Sequence, residues 1–226
     1  MQTNPAQRLR SIRGFTMSEL MVGLAVMSLT MAGIVAFTFQ ALNVYAYDSG
    51  RLLVNHDIRK FTGDMITDAV YANYFQIYPS FTSRAVPQSD GQTGDFLLLV
   101  TTTIDSSGNT TIARLVGYYR DATSTTTGPV RKFVATPSPA PVIGPTTNTG
   151  LNPPVYTMSD LLDAYAPTSA SASNGIIIQL AQGLSNGNMF YNYYSRSIMI
   201  RGQINEQGSM VRRAVNTYNF TVSPRG

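Results

Sequence analysis

Twenty consecutive residues, Leu20 to Phe39, carry no charge. As a helix rising 1.5 Å per residue they would span about 30 Å, the thickness of a bilayer's hydrocarbon core. One carboxylate, Glu19, stands at the entrance to this run. A charge at the centre of a membrane helix costs about 2.5–3.5 kcal/mol on insertion scales, so an ionisable group there marks a functional position. Arg8, Arg10 and Arg13 precede the run, and residues 1–14 contain no acid. This excess of cations before the span predicts a cytoplasmic N-terminus, with the rest of the chain on the far side of the membrane.

A cleavable secretory signal fits poorly. Its apolar region is about 7–15 residues long and ends in a small-x-small cleavage site. Here the run is longer, and Ala41 is followed by Leu42, Asn43 and Val44. A plain signal anchor explains the arginines and the span but not Glu19.

The segment Arg13-Gly14-Phe15-Thr16-Met17-Ser18-Glu19-Leu20 resembles the N-terminus of type IV prepilins and pseudopilins. The resemblance covers about the first 40 residues. It implies cleavage after Gly14 by a prepilin peptidase, N-methylation of the new N-terminal Phe15, and an assembly role for Glu19 at the fifth mature position. Leu20, Met21 and Val22 match the apolar positions that follow. Met17 and Ser18 stand where the family more often has leucine and isoleucine or valine. A free amine on Phe15 keeps its positive charge when methylated, and Glu19, one turn on, can neutralise such an amine. In filaments of this family the amine is thought to belong to a neighbouring subunit, and a buried ion pair that sets register is a well-attested use of buried charge. Glu19 also suits the dipole of its own helix N-terminus; capping its own helix is the plainer reading of the same residue and does not exclude the filament role.

Beyond the span, Val54, Ile58, Phe61, Met65 and Ala69 recur at helical spacing and predict an apolar stripe. Arg51, Asp57, Arg59, Lys60, Asp64 and Asp68 are expected on other faces, with Lys60 and Asp64 close enough in sequence to pair. Gly50 and Gly63 are expected to weaken or bend the helix. One helix is predicted over about 16–74, its second half packed on a sheet.

The remainder reads as strands: Phe96 to Ile104, Thr111 to Arg120, Val130 to Thr136, Gly175 to Leu180, Tyr191 to Ile204 and Met210 to Val222. Asp105 to Asn109 predicts a hairpin connection. The last two strands are expected to pair, with Ile198, Ile200, Gly202 and Ile204 on one face. Six prolines between Pro137 and Pro154 argue against regular hydrogen-bonded structure there. Ala166 to Asn174 reads as a loop. Thr157 to Tyr165 predicts a short helix capped by Thr157 or Ser159, with Leu161 and Leu162 as its apolar residues. The fold class is α+β: a long N-terminal helical spine, transmembrane in its first half, packed on an antiparallel β-sheet head domain. The domains are a leader over 1–14, a transmembrane segment over 15–40 and an exported head over 41–226 that includes an amphipathic helix over 41–74.

The formal charge of the whole chain is +4, but three of its cations lie in the leader, so the mature chain is close to neutral. Arg131-Lys132 and Arg212-Arg213 read as solvated strand ends. Nucleic acid is not expected as a partner, since phosphate binding needs several clustered cations. There is no cysteine, so the disulfide-bounded loop of many pilins does not carry over. The single histidine, His56, lies beside Asp57 and reads as structural or solvated. No P-loop or histidine ligand pair occurs. Asp160 with Asp163 falls short of the six to eight oxygens calcium takes, and Asp105 to Asn109 reads as a turn. No enzymatic activity, cofactor or metal is expected. Tyr191, Tyr193 and Tyr194 suit either a subunit interface or a strand face with half-buried rings.

The resemblance therefore implies a structural subunit in the inner membrane, with its head domain periplasmic or extracellular, incorporated into a type IV pilus or a type II secretion pseudopilus. Its partners would be the peptidase/methyltransferase, other pilin or pseudopilin subunits and the inner-membrane assembly platform. Gly23, Ala25, Gly33 and Ala36 are expected to let membrane helices pack closely. Ala36 replaces the proline of many major pilins, which leans toward a minor subunit. Layout resembles the J-type minor pseudopilins and W-type minor pilins, and Glu19 argues against the K-type tip subunit, which commonly lacks it. The alternatives are a major pilin or a non-polymerising membrane-anchored binding module.

Overall fold

A computed structural model describes residues 14–120, 127–169, 176–183, 188–206 and 214–225. The leader arginines, Arg212-Arg213 and most of the loop expected over 166–174 lie outside the described residues. Two compact units meet in sequence between Tyr45 and Ala46.

The first helix, α1 (Met17–Tyr71), is a single 55-residue element. It is continuous through Gly50 and Gly63, as one helix over this range was expected to be. Its described residues up to Val44 are exposed throughout. This part contains a window of mean hydropathy 2.2, long and apolar enough to cross a membrane. Its few hydroxyls are compatible with lipid because they bond back to their own helix: Ser28 donates to the Leu24 carbonyl at 2.8 Å, Thr30 to that of Met27 at 2.9 Å and Thr38 to that of Ile34 at 2.8 Å.

In the second unit, Val54, Phe61, Met65 and Ala69 are buried and Ile58 packs beside them, as the period predicts. The helix ends three residues before the expected Tyr74, because Asn73 engages the sheet instead. Its N–H donates to the Val100 carbonyl at 2.8 Å, and its side-chain oxygen accepts from the Thr102 N–H at 2.7 Å.

Among the described residues eleven strands follow: β1 (Tyr74–Tyr78), β2 (Thr93–Gly94), β3 (Phe96–Ile104), β4 (Thr110–Arg120), β5 (Thr127–Ala135), β6 (Val142–Ile143), β7 (Val155–Tyr156), β8 (Ile176–Gly183), β9 (Phe190–Tyr193), β10 (Ser197–Glu206) and β11 (Ala214–Val222). A second helix, α2 (Met158–Tyr165), lies between β7 and β8. The main path through the sheet is β1-β3-β4-β5-β8-β10-β9-β2, with β11 on β10. Neighbours on this path pair antiparallel, and among the described residues only the two-residue β6–β7 pair is parallel. The architecture is α+β.

The central strands are buried on both faces, which explains the uninterrupted apolar run of β3. Leu97 and Leu99 face the core shared with α1, whereas Phe96, Leu98 and Val100 face the opposite core, which includes Leu161 and Leu162 of α2. Phe61 is the centre of the first core. Three rings, Tyr118, Tyr218 and Phe220, meet it edge-on at centroid distances of 6.0, 6.0 and 5.8 Å. Edge-to-face geometry sets the negative face of one ring against the positive rim of another.

Two glycines lie beneath aromatic rings of the neighbouring strand. A Cβ on Gly202 would come within 2.3 Å of the Tyr218 hydroxyl, and one on Gly117 within 2.0 Å of the Phe133 ring. Each glycine is register-paired with the ring that covers it.

Four expectations need correction. The strand expected over Tyr191 to Ile204 is broken into β9 and β10 by a turn in which Tyr194 and Ser195 have positive φ. The proline-rich segment contains β6, where Val142 pairs with Thr111 of β4 and with Val155 of β7. Its prolines lack donors, but their carbonyls still accept: Pro141 from the Ile112 N–H at 2.8 Å and Pro154 from the Val142 N–H at 2.9 Å. Asp68, expected on a face other than the apolar stripe, is buried at 5% exposure. Lys60 and Asp64 form no ion pair among the described residues, and Lys60 is exposed. The short helix does follow expectation, with Thr157 as N-cap.

Candidate functional site: the N-terminal helix start

Gly14, Phe15 and Thr16 precede α1 in non-helical backbone. Phe15 is 84% exposed, and nothing lies within 4 Å of a Cβ placed on Gly14. The Gly14–Phe15 peptide is therefore sterically open.

Thr16 and Glu19 close a reciprocal cap. The Glu19 N–H donates to Thr16 Oγ1 at 3.3 Å, while the Thr16 N–H and hydroxyl both donate to Glu19 Oε2 at 3.0 Å. Threonine at the cap and glutamate three positions on is the capping-box arrangement, which satisfies two of the helix's otherwise unpaired N–H groups. The self-capping reading of Glu19 is thus realised. Both contacts use Oε2, and Oε1 has no partner among the described residues. Thr16 was not singled out as a site residue, although Thr-x-x-Glu before an apolar run is a recognisable signal.

The small residues of the span are open among the described residues. Nothing lies within 4 Å of a Cβ on Gly23 or Gly33, and Ala25 and Ala36 are exposed. Ala25 and Ala36, eleven apart, project from α1 within about 20° of each other at 3.6 residues per turn.

The other residues considered from sequence occupy separate, ordinary positions. Asp160 accepts from the hydroxyls of Thr147 and Thr157, which hold its carboxyl below the usual range, Thr147 first. Asp163 instead accepts from Arg84 Nη2 at 2.9 Å. Asp105 closes its hairpin by accepting from the Ser107 and Asn109 N–H groups at 2.8 Å each. His56 is exposed beside Asp57, its Nδ1 3.3 Å from the Asp57 carboxylate. Tyr191 is half-buried, whereas Tyr193 and Tyr194 are exposed.

The ionic interior was not foreseen. Asp68 accepts from the Tyr118 hydroxyl, lies 3.2 Å from Arg114 Nη2 and 2.5 Å from Lys132 Nζ. Lys132 also stands 5.3 Å from the centroid of the Tyr118 ring. Burial, then the bond to Asp68, pushes the Tyr118 phenol far up. A second pair, Arg120 with Asp95, is also largely buried. Burial pushes the Asp95 carboxyl up, and Arg120 offsets part of that shift.

Residues 9–35 match the prokaryotic N-terminal methylation motif. The matched segment contains Gly14, Phe15, the Thr16–Glu19 cap and the small residues Gly23, Ala25 and Gly33. It indicates a prepilin-type N-terminus, processed as in type IV pilin-like proteins. No curated protein and no solved structure matches the chain.

Proposed function

We propose that this chain is a minor pilin or minor pseudopilin: a non-enzymatic structural subunit of a type IV pilus or type II secretion pseudopilus. The match over residues 9–35 carries the reading. The precursor inserts with its N-terminus in the cytoplasm, is cut after Gly14 by the prepilin peptidase and is methylated on Phe15. It is then held in the inner membrane by residues 15–40, with 41–226 exported.

Neighbouring helices pack through Gly23, Ala25, Gly33 and Ala36, where small side chains permit close backbone approach. Glu19 pairs with the Phe15 amine of a neighbour and fixes the axial step. The capping box is compatible with this role, because Oε2 takes both Thr16 donors and leaves Oε1 to accept from the amine. The unbroken helix through Ala36 supports a minor subunit. An assembly ATPase on the inner-membrane platform supplies the work.

The test is intact-mass and N-terminal analysis of protein taken from membranes of its native host. The expected product starts at Phe15 and carries one added methyl group. A chain retaining residues 1–14 would overturn the proposal in favour of a signal-anchored module.

A further inference from the structure

The turn between β9 and β10 holds two residues with side chains, one of them a bulky tyrosine, in backbone conformations that they disfavour. Tyr194 has φ 55° and Ser195 φ 52°, and the Arg196 N–H donates to the Tyr193 carbonyl at 3.1 Å to close the turn. Two successive left-handed residues in a hairpin favour Asn and Gly. A tyrosine there is strained, and such strain persists only where the surroundings over-determine it.

The surroundings do so here. The Tyr194 N–H donates to Asp90 Oδ1 at 2.5 Å and the Ser195 N–H to Asn192 Oδ1 at 3.0 Å. Asn192 is itself buried, and its side-chain amide donates to the Gln88 carbonyl at 3.2 Å. This framework presents rings rather than hiding them. Tyr194 is 66% exposed and stands edge-on to Tyr193, with centroids 4.7 Å apart at 81°. Tyr193, Tyr194, Arg196 and Ser197 line an open groove of 510 Å³, within the range of small-molecule sites, roughly 300–1,000 Å³. Arg196 is exposed and has no carboxylate partner among the described residues.

We propose that this hairpin tip binds an acidic saccharide, with a sugar ring stacked on Tyr194 or Tyr193 and its carboxylate paired with Arg196. The C–H face of a pyranose is apolar and slightly positive, which suits the negative face of an aromatic ring. The planar guanidinium offers two parallel donors to a carboxylate. A protein partner is the poorer fit, because anchor residues of interfaces sit in a desolvated apolar surround. Here the described lining is Tyr193, Tyr194, Arg196 and Ser197, with no aliphatic side chain among the described residues. One cation is also too few for a phosphate backbone.

The test titrates the full chain in detergent with oligogalacturonate and, separately, with neutral dextran oligosaccharide, followed by calorimetry. Saturable binding to oligogalacturonate is expected, with dextran at least tenfold weaker. Tyr194→Gly and Arg196→Gln should each weaken binding at least tenfold. Tyr194→Gly should leave the thermal midpoint unchanged or raise it, because glycine accepts the left-handed conformation; this separates loss of the site from loss of the fold. Four results would overturn the proposal: no saturable binding, equal affinity for dextran, unchanged affinity in both variants, or an equal loss in the control Lys60→Gln, an exposed cation of α1 outside the groove lining, which would mean diffuse charge attraction. Self-association that Tyr194→Gly abolishes, without oligogalacturonate binding, would equally overturn it and identify a second copy as the occupant.

Discussion

The carboxylate of Asp68, on α1, accepts a hydrogen bond from the phenol of Tyr118, on β4, at the buried junction of helix and sheet. Arg114 of β4 and Lys132 of β5 stand on the same carboxylate. One acid therefore ties the helix to two adjacent strands. Asp68→Ala leaves the Tyr118 hydroxyl without its acceptor, and an unsatisfied buried polar group costs about 1–3 kcal/mol. Lys132 and Arg114 retain partial solvent access, which keeps the loss below that of a fully buried broken pair, about 3–5 kcal/mol. Chemical denaturation of the detergent-solubilised chain should show a deficit of about 1–3 kcal/mol.

Gly94 supports a close approach between the two ends of the strand path, β1 and β2. A Cβ there would meet the Tyr78 carbonyl oxygen at 2.0 Å, and backbone cannot swing aside as a flexible side chain can. The same approach is fastened by the Asp95 N–H donating to the Pro79 carbonyl at 3.0 Å. Overpacking of a filled site costs about 1–3 kcal/mol, so Gly94→Ala should lower the unfolding midpoint by that equivalent. Gly108→Ala, where nothing lies within 4 Å but φ is +84°, isolates the cost of backbone conformation from that of crowding.

The extent to which sequence exposed this fold follows from how local each signal is. The Val54–Ala69 stripe and the Thr157 cap are set by residues within a few turns of one another, and both are realised. The burial of Asp68 depends on Tyr118, Arg114 and Lys132, each more than forty positions away, so the period alone places it off the apolar stripe and no further. The break at Tyr194 was hidden because no glycine, proline or asparagine occupies the turn's centre; its left-handed pair is held by Asp90 from another segment. At the N-terminus, by contrast, the Thr16-x-x-Glu19 spacing was fully legible.

The α2 start should respond to acid in a defined sense. Thr147 and Thr157 donate to Asp160 and hold its folded-state pKa below the ordinary Asp value. A carboxyl lowered by folding stabilises the fold above its unfolded pKa, and that contribution disappears as pH falls through the folded pKa. Asp160→Asn should therefore melt lower than the parent at pH 7, with the gap closing as pH falls below the usual aspartate range. Asp95 acts in the opposite sense. Burial raises its pKa, so its contribution is present below the usual aspartate value and is lost as pH rises through the raised one. Thr157→Ala removes the cap acceptor itself and should cost about 0.5–2 kcal/mol. Thermal melts across pH for the parent and these variants check all three directions.

Cleavage and assembly should separate genetically at Gly14 and Glu19. Gly14→Leu places a branched side chain at the open peptide proposed for peptidase cleavage, and should leave the full-length precursor in the membrane. Glu19→Ala leaves that peptide untouched, so the chain should still start at Phe15, yet it removes the carboxylate proposed to meet a neighbour's amine. Its incorporation into filaments, measured in sheared or purified fractions, should fall at least tenfold. Thr16→Ala discriminates between the two duties of Glu19. It removes the hydroxyl that accepts from the Glu19 N–H and donates to Oε2, with a cap loss of about 0.5–2 kcal/mol, but spares the carboxylate. If Glu19 acts mainly through intersubunit pairing, Thr16→Ala assembles nearly as well as the parent while Glu19→Ala does not. Equal defects in the two variants would instead assign the role of Glu19 to the cap alone.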